Sequence, residues 1–453
     1  MQLAWLMTDG TVLAQSDQGS TWYTYTPDAT GSYADGTWKQ VGSLQSGYDP
    51  SAFSSALLAD GRLAISGGEY NGQNSPYQLQ LTNLGAIYDP VAGTWTPLGH
   101  PKGWRYIGDS PNSVLPNGEF LVGQKLTTQA AYLNPKTLKW TIVPTTGKAD
   151  FNAEEGWTLL PDGSVLTADV LNAPNSERYL PTSGEWVTAG STIVDLRSVS
   201  PYTNCLQYGP KKKDCYLPPG EIGPAILRPD GTVFATGSSS GPSGSGVGHT
   251  AVYHTVGSLA GTWTVGPDFL NGDNAGDNFG TLLPSGNVLV FGNSGEMYEF
   301  NGTSWTEEGQ ETGSPLLLPT GQVLMLGFGV SLFNPTGQPQ ASWAPTITTA
   351  PTSVTHGMTY LIKGTQFNGL SQAMAFGDEY QTATNYPLVR ITNTGTGHVF
   401  YARTHDHSTM GVATGSAIVS TNFDVPTKID KGASTLQVVA NGISSVAVSV
   451  TVK

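Results

Sequence analysis

Ala56-Leu-Leu-Ala-Asp-Gly-Arg-Leu-Ala-Ile-Ser-Gly-Gly68 is one phrase of a repeat: an apolar run, a two-residue turn ending in glycine, and a second apolar run ending in small residues. The phrase opens the chain as Trp5-Leu-Met-Thr-Asp-Gly-Thr-Val-Leu-Ala14. It returns around Asn117-Gly118, Asp162-Gly163, Asp230-Gly231, Ser285-Gly286 and Thr320-Gly321. Each copy runs on to an aromatic residue (Tyr25, Tyr88, Tyr132, Tyr179, Tyr253, Tyr298, Phe333) and then to a tryptophan (Trp38, Trp95, Trp140, Trp186, Trp263, Trp305, Trp343). The turn pairs suit hairpins that need positive φ. Each copy therefore predicts two strands around a tight turn, a third carrying the aromatic residue and a fourth carrying the tryptophan. A four-stranded sheet cannot bury both faces alone, so the copies must stack, and radial stacking gives a β-propeller. The chain is read as all-β, with a seven-bladed propeller over residues 1–345.

After Trp343 the pattern changes. Pro345, Pro351 and a threonine-rich linker lead into alternating strands without tryptophan. Residues 346–453 fit a small immunoglobulin-like β-sandwich.

Bulk properties agree with this reading and narrow the partners. Of 453 residues, 57 are glycine and 30 proline, and only 12% are charged. The formal charge of −14 argues against nucleic acid or an anionic membrane, since both need a basic face. The run Lys211-Lys212-Lys213 reads as a solvated loop tip. No stretch approaches the roughly 18 apolar residues of a membrane helix. Met1 runs directly into a strand-like segment, which suggests that a targeting leader has been removed. Cys205 and Cys215 lie ten apart in one loop. A local disulfide there implies an oxidising compartment, so the protein is expected to be secreted or periplasmic, and monomeric.

Near the C-terminus, Tyr401-Ala-Arg-Thr-His-Asp-His-Ser-Thr-Met-Gly-Val412 packs two of the chain's seven histidines and an acid into three residues, His405-Asp406-His407. Apolar neighbours on both sides suit a hairpin tip. This tip is expected to act as a plug that brings His405 or His407 to the propeller axis.

The repeat length of roughly fifty residues and the Gly67-Gly68 pair resemble kelch repeats. A kelch propeller followed by a small sandwich resembles galactose oxidase and glyoxal oxidase. The segments Tyr386-Pro-Leu-Val-Arg-Ile391 and Val399-Phe-Tyr-Ala-Arg-Thr-His405 are similar to that family's C-terminal domain, where a Thr-His on a long hairpin binds copper. The resemblance carries His405 over as a copper ligand. The family's other ligands, a cysteine, two tyrosines and a histidine, fall eight or nine residues before the first hairpin turn. Those positions here hold Ala52, Asp109, Glu154, Ile222, Asp277 and Thr312, and Ser51, Gly108, Ala153, Glu221, Gly276 and Glu311. None is Cys, Tyr or His, so copper-radical chemistry is not expected. A copper oxidase survives only if the blade alignment slips by the few residues that separate Tyr48 and Tyr106 from these positions, and such a slip would still leave no cysteine.

What stands there instead is a ring of acids: Asp109, Glu154, Glu221, Asp277 and Glu311, with Glu155 adjacent. Strands that start at a propeller axis converge there, so these acids are candidates for one site. Three chemistries fit converging acids and an imidazole. Asp109, Glu154, Asp277 and His405 could hold a divalent cation, Ca²⁺ or Mn²⁺. Two carboxyls could perform acid/base hydrolysis of a glycosidic bond, since like charges raise one pKa. A base could also abstract the proton beside a uronate carboxylate. Arg105 and Tyr106 stand just upstream of the ring, and Trp104 and Trp157, outside the repeat's own tryptophan position, are candidates for stacking a sugar. The expectation is a carbohydrate-active hydrolase or lyase, with Asp109, Glu154, Glu221, Asp277, His405 and His407 as catalytic candidates. The alternative is a non-catalytic glycan-binding protein with a structural cation.

Overall fold

The computed structural model describes the chain except residues 1–2, 17–18, 73–80, 199–205, 208–214, 217–219, 241–245, 312 and 328. Cys205, and with it the expected bridge to Cys215, lies outside the described residues, as do Lys211 to Lys213.

The repeat folds into seven consecutive antiparallel sheets around one axis. Blade 3 is representative: Asn112–Val114, Phe120–Gly123, Ala130–Asn134 and Lys139–Val143 pair in chain order from the axis outward. The glycine of every first hairpin is left-handed, with φ of 77°, 83°, 85°, 83°, 82°, 86° and 84° at Gly10, Gly61, Gly118, Gly163, Gly231, Gly286 and Gly321. This conformation is nearly free only for glycine. The residue before it closes the turn from its side chain. Asp60 Oδ1 accepts from Arg62 N at 3.1 Å, and Asp162 Oδ1 from Ser164 N at 3.0 Å. Such Asx turns are why Asp and Asn recur there.

The aromatic residue and the tryptophan face each other across the outer two strands. Tyr25 pairs with Trp38, Tyr88 with Trp95, Tyr179 with Trp186 and Tyr253 with Trp263, with ring centroids 4.6–5.3 Å apart. Such contacts add about 0.5–1.5 kcal/mol beyond area burial. In blade 3 the partner of Trp140 is Leu133 rather than Tyr132, and in blade 6 the partner of Trp305 is Phe300 rather than Tyr298. Blade 7 departs from the repeat. Its described strands are Ser314–Leu317, Val323–Leu326 and Val330–Phe333, and Trp343 lies in a short 3₁₀ turn instead of a fourth strand.

The second domain begins at the strand Thr346–Thr349 and forms one curled nine-stranded sheet, consistent with a β-sandwich. Its own core includes Ile362, Phe367, Ile391, Phe423, Leu436 and Val450. It sits on the face of the propeller formed by the first hairpin turns. Thr404 N donates to Thr8 O at 3.1 Å, His407 N to Ala59 O at 3.0 Å, and Met410 N to Pro116 O at 3.0 Å. The histidine-bearing stretch is thus the seam between the domains.

A different segment fills the channel. Residues 371–382 are all buried, and Met374–Ala375 adds a fifth strand to blade 6 beside Gly280–Leu282. Gln372 Oε1 accepts from Leu159 N of blade 4 at 2.9 Å, and its Nε2 donates to Ser113 Oγ of blade 3 at 3.2 Å. Further along, the Tyr380 hydroxyl accepts from Ala52 N at 2.5 Å and its ring packs on Phe53 and Phe279. The plug therefore rises from the turn face, and its tip, Gly377-Asp378-Glu379-Tyr380, meets the start of the innermost strands.

Candidate active site

At that level the plug tip and the blades assemble a cluster of acids around a single ammonium. Lys125 follows the second strand of blade 3 and its side chain is almost wholly buried. Its Nζ donates to Asp109 Oδ2 at 2.5 Å, Glu154 Oε2 at 2.6 Å and Asp378 Oδ2 at 3.3 Å. Asp109 and Glu154 sit just before the innermost strands of blades 3 and 4, and Asp378 comes from the plug. One oxygen of each of these three acids lies within 4.8 Å of the others.

More acids surround this knot. Burial, and then the neighbouring Asp109 charge, push Glu69 up to about 9. Burial raises Asp109 to about 7 against the lowering effect of Lys125. Glu221 is held well above the carboxylate range by burial, and next by Glu154 and Asp277. Asp277 rises to about 6 through burial and the Glu154 charge. Glu379, in the plug, is also raised well above its ordinary value by burial, with Asp109 and Asp277 adding to it. Glu154 acts on Glu69, Asp109, Glu221 and Asp277 alike and is the hub of the group. Accessibility divides the set. Asp109, Asp378 and Glu379 are buried, whereas Glu69, Glu154 and Glu221 are partly exposed. Asp277 is ringed by enough protein to raise its carboxyl yet keeps access to solvent, and that access discounts the rise. The acids thus floor a mouth that is closed beneath by the plug. Asp277 also has a left-handed backbone, φ 56°, which is uncommon for a residue other than glycine.

Four of the acids named from sequence, Asp109, Glu154, Glu221 and Asp277, are brought together. Glu311 is partly exposed before blade 7, and it is not among the charges acting on the others. Glu155 turns away into a separate buried cluster, where it accepts from Lys148 Nζ at 3.1 Å and from Trp157 Nε1 at 3.1 Å. Glu177 completes that ion pair at 2.7 Å.

The histidines do not reach the axis. His405 is held between Asp406 Oδ2 at 2.8 Å and Asp424 Oδ1 at 3.1 Å, both in the second domain. His407 is buried, bonded through Nδ1 to Thr421 Oγ1 at 2.9 Å, and driven down to about 3 by burial. The alternation around His405 continues the strand Val399–His405 into the seam rather than into the channel. A site combining His405 with Asp109, Glu154 and Asp277 is therefore not assembled.

The proposed sugar platforms also fail. Trp104 is 3% and Trp157 1% exposed, with Trp104 Nε1 bonded to Gln129 Oε1 and Trp157 packed at a tilt against Trp186. Both rings are core. Arg105 is exposed and Tyr106 half-buried beside the mouth, where Gln124 Nε2 donates to the Tyr106 carbonyl. Sequence reasoning missed Lys125, Asp378 and Glu69. The first two carried a signal: a lysine ending an apolar strand run (Phe120-Leu-Val-Gly-Gln-Lys125), and adjacent acids between Phe376 and Tyr380 in a chain poor in charge.

No protein-family model and no curated protein matches the chain. Among solved structures, a fungal alcohol oxidase of the AA5 family, in complex with copper, aligns over 100% of this chain and 96% of its own, at 14% identity and a TM-score of 0.52. A streptogramin B lyase aligns over 72% of this chain and 94% of its own at 11% identity and a TM-score of 0.43. YjhT aligns over 72% and 90%, at 13% and 0.35. At these identities the oxidase likeness is one of fold, and the other two are too loose to bear on more. Copper favours imidazole and thiolate donors. Among the described residues the donors bonded together at the axis are three carboxylates and an ammonium, a different set from the one copper favours.

Proposed function

We propose that this mouth is the active centre of a carbohydrate-active enzyme that hydrolyses glycosidic bonds by acid/base catalysis. The observation that carries the reading is the coexistence, at one solvent-reached mouth, of carboxyls whose hold on their protons is raised above the ordinary carboxylate range with a second acid bonded to a lysine. Asp277 and Glu221 supply the raised acids, and Glu154, bonded to Lys125, supplies the base. Hydrolysis needs both roles on opposite sides of one bond. A uronate lyase is the weaker reading. A substrate carboxylate would meet an excess of acids, and the Lys125 ammonium is already held by three of them.

The test is release of new reducing ends from a panel of neutral and amine-bearing polysaccharides. Turnover should fall by about 10²–10⁴ in Asp277→Asn or Glu154→Gln. Absorbance of an unsaturated uronate would overturn the reading in favour of a lyase. Glycan binding without turnover, unchanged in both variants, would overturn it in favour of a binding protein.

A further inference from the structure

The Asp109–Glu154–Asp378 knot has the anatomy of a cation seat. Three carboxylate oxygens from two blades and the plug lie within 4.8 Å of one another, and the Lys125 ammonium touches all three. Oxygen donors crowded in this way suit hard divalent cations. A second, independent feature points the same way. Asp109 is 4% exposed, and its other oxygen, Oδ1, is buried without a hydrogen-bond partner. A buried carboxylate oxygen normally has a partner. The ammonium bonds the Oδ2 oxygen of Asp109 and leaves Oδ1 unmet, whereas a metal ion bound bidentately would engage both.

We propose that this knot is a divalent-cation site whose resident cation is the Lys125 ammonium, so that lysine and metal are mutually exclusive occupants. Withdrawing the lysine opens the site to Ca²⁺ or Mn²⁺. With the lysine in place, the metal must displace it and binds weakly. The proposal concerns the same mouth as the hydrolase reading but does not need that chemistry, because metal binding is read without any substrate.

The experiment is titration of purified full-length protein, Lys125→Met and Lys125→Gln with CaCl2 and MnCl2 by calorimetry, alongside thermal denaturation with and without metal. The expected result is one metal bound per chain in both variants, at least 100-fold more tightly than in the native protein, with a rise in thermal midpoint. Adding Asp378→Asn to Lys125→Met should abolish the gain. Equal affinity in native and variant proteins would overturn the proposal. So would folded variants that bind no metal, or variants that fold neither alone nor with metal present, since an interchangeable cation must restore the knot. Failure here leaves the polysaccharide assay untouched, and an inactive protein that still gains a metal site would refute only the hydrolase reading.

Discussion

Asn112, on the innermost strand of blade 3, donates its side-chain amide to the carbonyl of Glu379 at 2.5 Å, tying the propeller to a loop 267 residues further along the chain. The bond is buried, and Asn112 stands three residues beyond Asp109. Two groups that face the site are thereby fixed by one contact: the strand that begins after Asp109, and the tip that carries Asp378.

Tyr380 extends the same anchorage. Its hydroxyl accepts from Ala52 N, a residue with left-handed backbone (φ 49°), and its ring packs on Phe53, Phe279 and Phe376. Tyr380→Phe keeps the packing and orphans the amide. A buried unsatisfied donor costs about 1–3 kcal/mol, and urea denaturation should show a loss of that size. Wild-type stability would mean that the amide finds water, and that the tip is less enclosed than it looks.

Gly156 tests the plug by sterics alone. A Cβ there would stand 2.6 Å from the Gly377 carbonyl oxygen, a backbone atom that cannot rotate away, and the residue's φ is not left-handed. Gly156→Ala should therefore displace the tip and separate Asp378 from Lys125. Overpacking of this kind costs typically about 1–3 kcal/mol. A crystal structure of the variant with the tip in place would contradict this account of how the channel is sealed.

How far this was legible in the sequence follows from which interactions are local. The seven turns were readable because Asp-Gly and its relatives need no distant partner to bend the chain. Asp109, Glu154, Glu221 and Asp277 followed, because their place relative to each turn fixes where on the blade they fall. The plug was not readable. His405 and His407 made the more conspicuous motif, but a strand ending in histidine says nothing about which surface it meets. Asp378 reaches Lys125 across 253 residues. Trp104 and Trp157 were misread for a related reason: burial depends on the neighbouring blade, which the local pattern does not contain.

The buried acids also set how stability varies with pH. Asp109 and Glu155 are raised to about 7 and Asp169 to about 8, in each case first by burial. Between their ordinary values of 3.8 or 4.5 and these raised values, the folded state holds more protons than the unfolded one. Stability is then full at the acid end and is lost as pH rises through about 7 to 8. His407 acts in the opposite sense. Its folded value of about 3 lies below 6.5, so its contribution is full above 6.5 and is lost as pH falls toward 3. The thermal midpoint should be lower at about pH 9 than at about pH 6, and Asp169→Asn should narrow that gap. A midpoint that is flat or rising over that interval would contradict the assignment.

The cluster around Lys148 gives the sharpest stability prediction, because it is fully enclosed. Its ammonium pairs with Glu155 at 3.1 Å and Glu177 at 2.7 Å, and lies 4.8 Å from the Trp186 ring centre. Glu177 in turn accepts from Ala149 N at 2.6 Å, so the pair also fixes the chain leading to Glu154. Lys148→Met keeps most of the volume but strands two buried carboxyls, and breaking a buried pair from one side costs about 3–5 kcal/mol. Those carboxyls can respond by taking up protons, so the loss should be larger at alkaline than at mildly acidic pH. Adding Glu155→Gln and Glu177→Gln removes the stranded charges and should recover much of the deficit. Chemical denaturation of the single and triple variants at two pH values decides it. An equal loss at both pH values, with no recovery in the triple variant, would mean that Lys148 stabilises through packing on Trp186 rather than through charge.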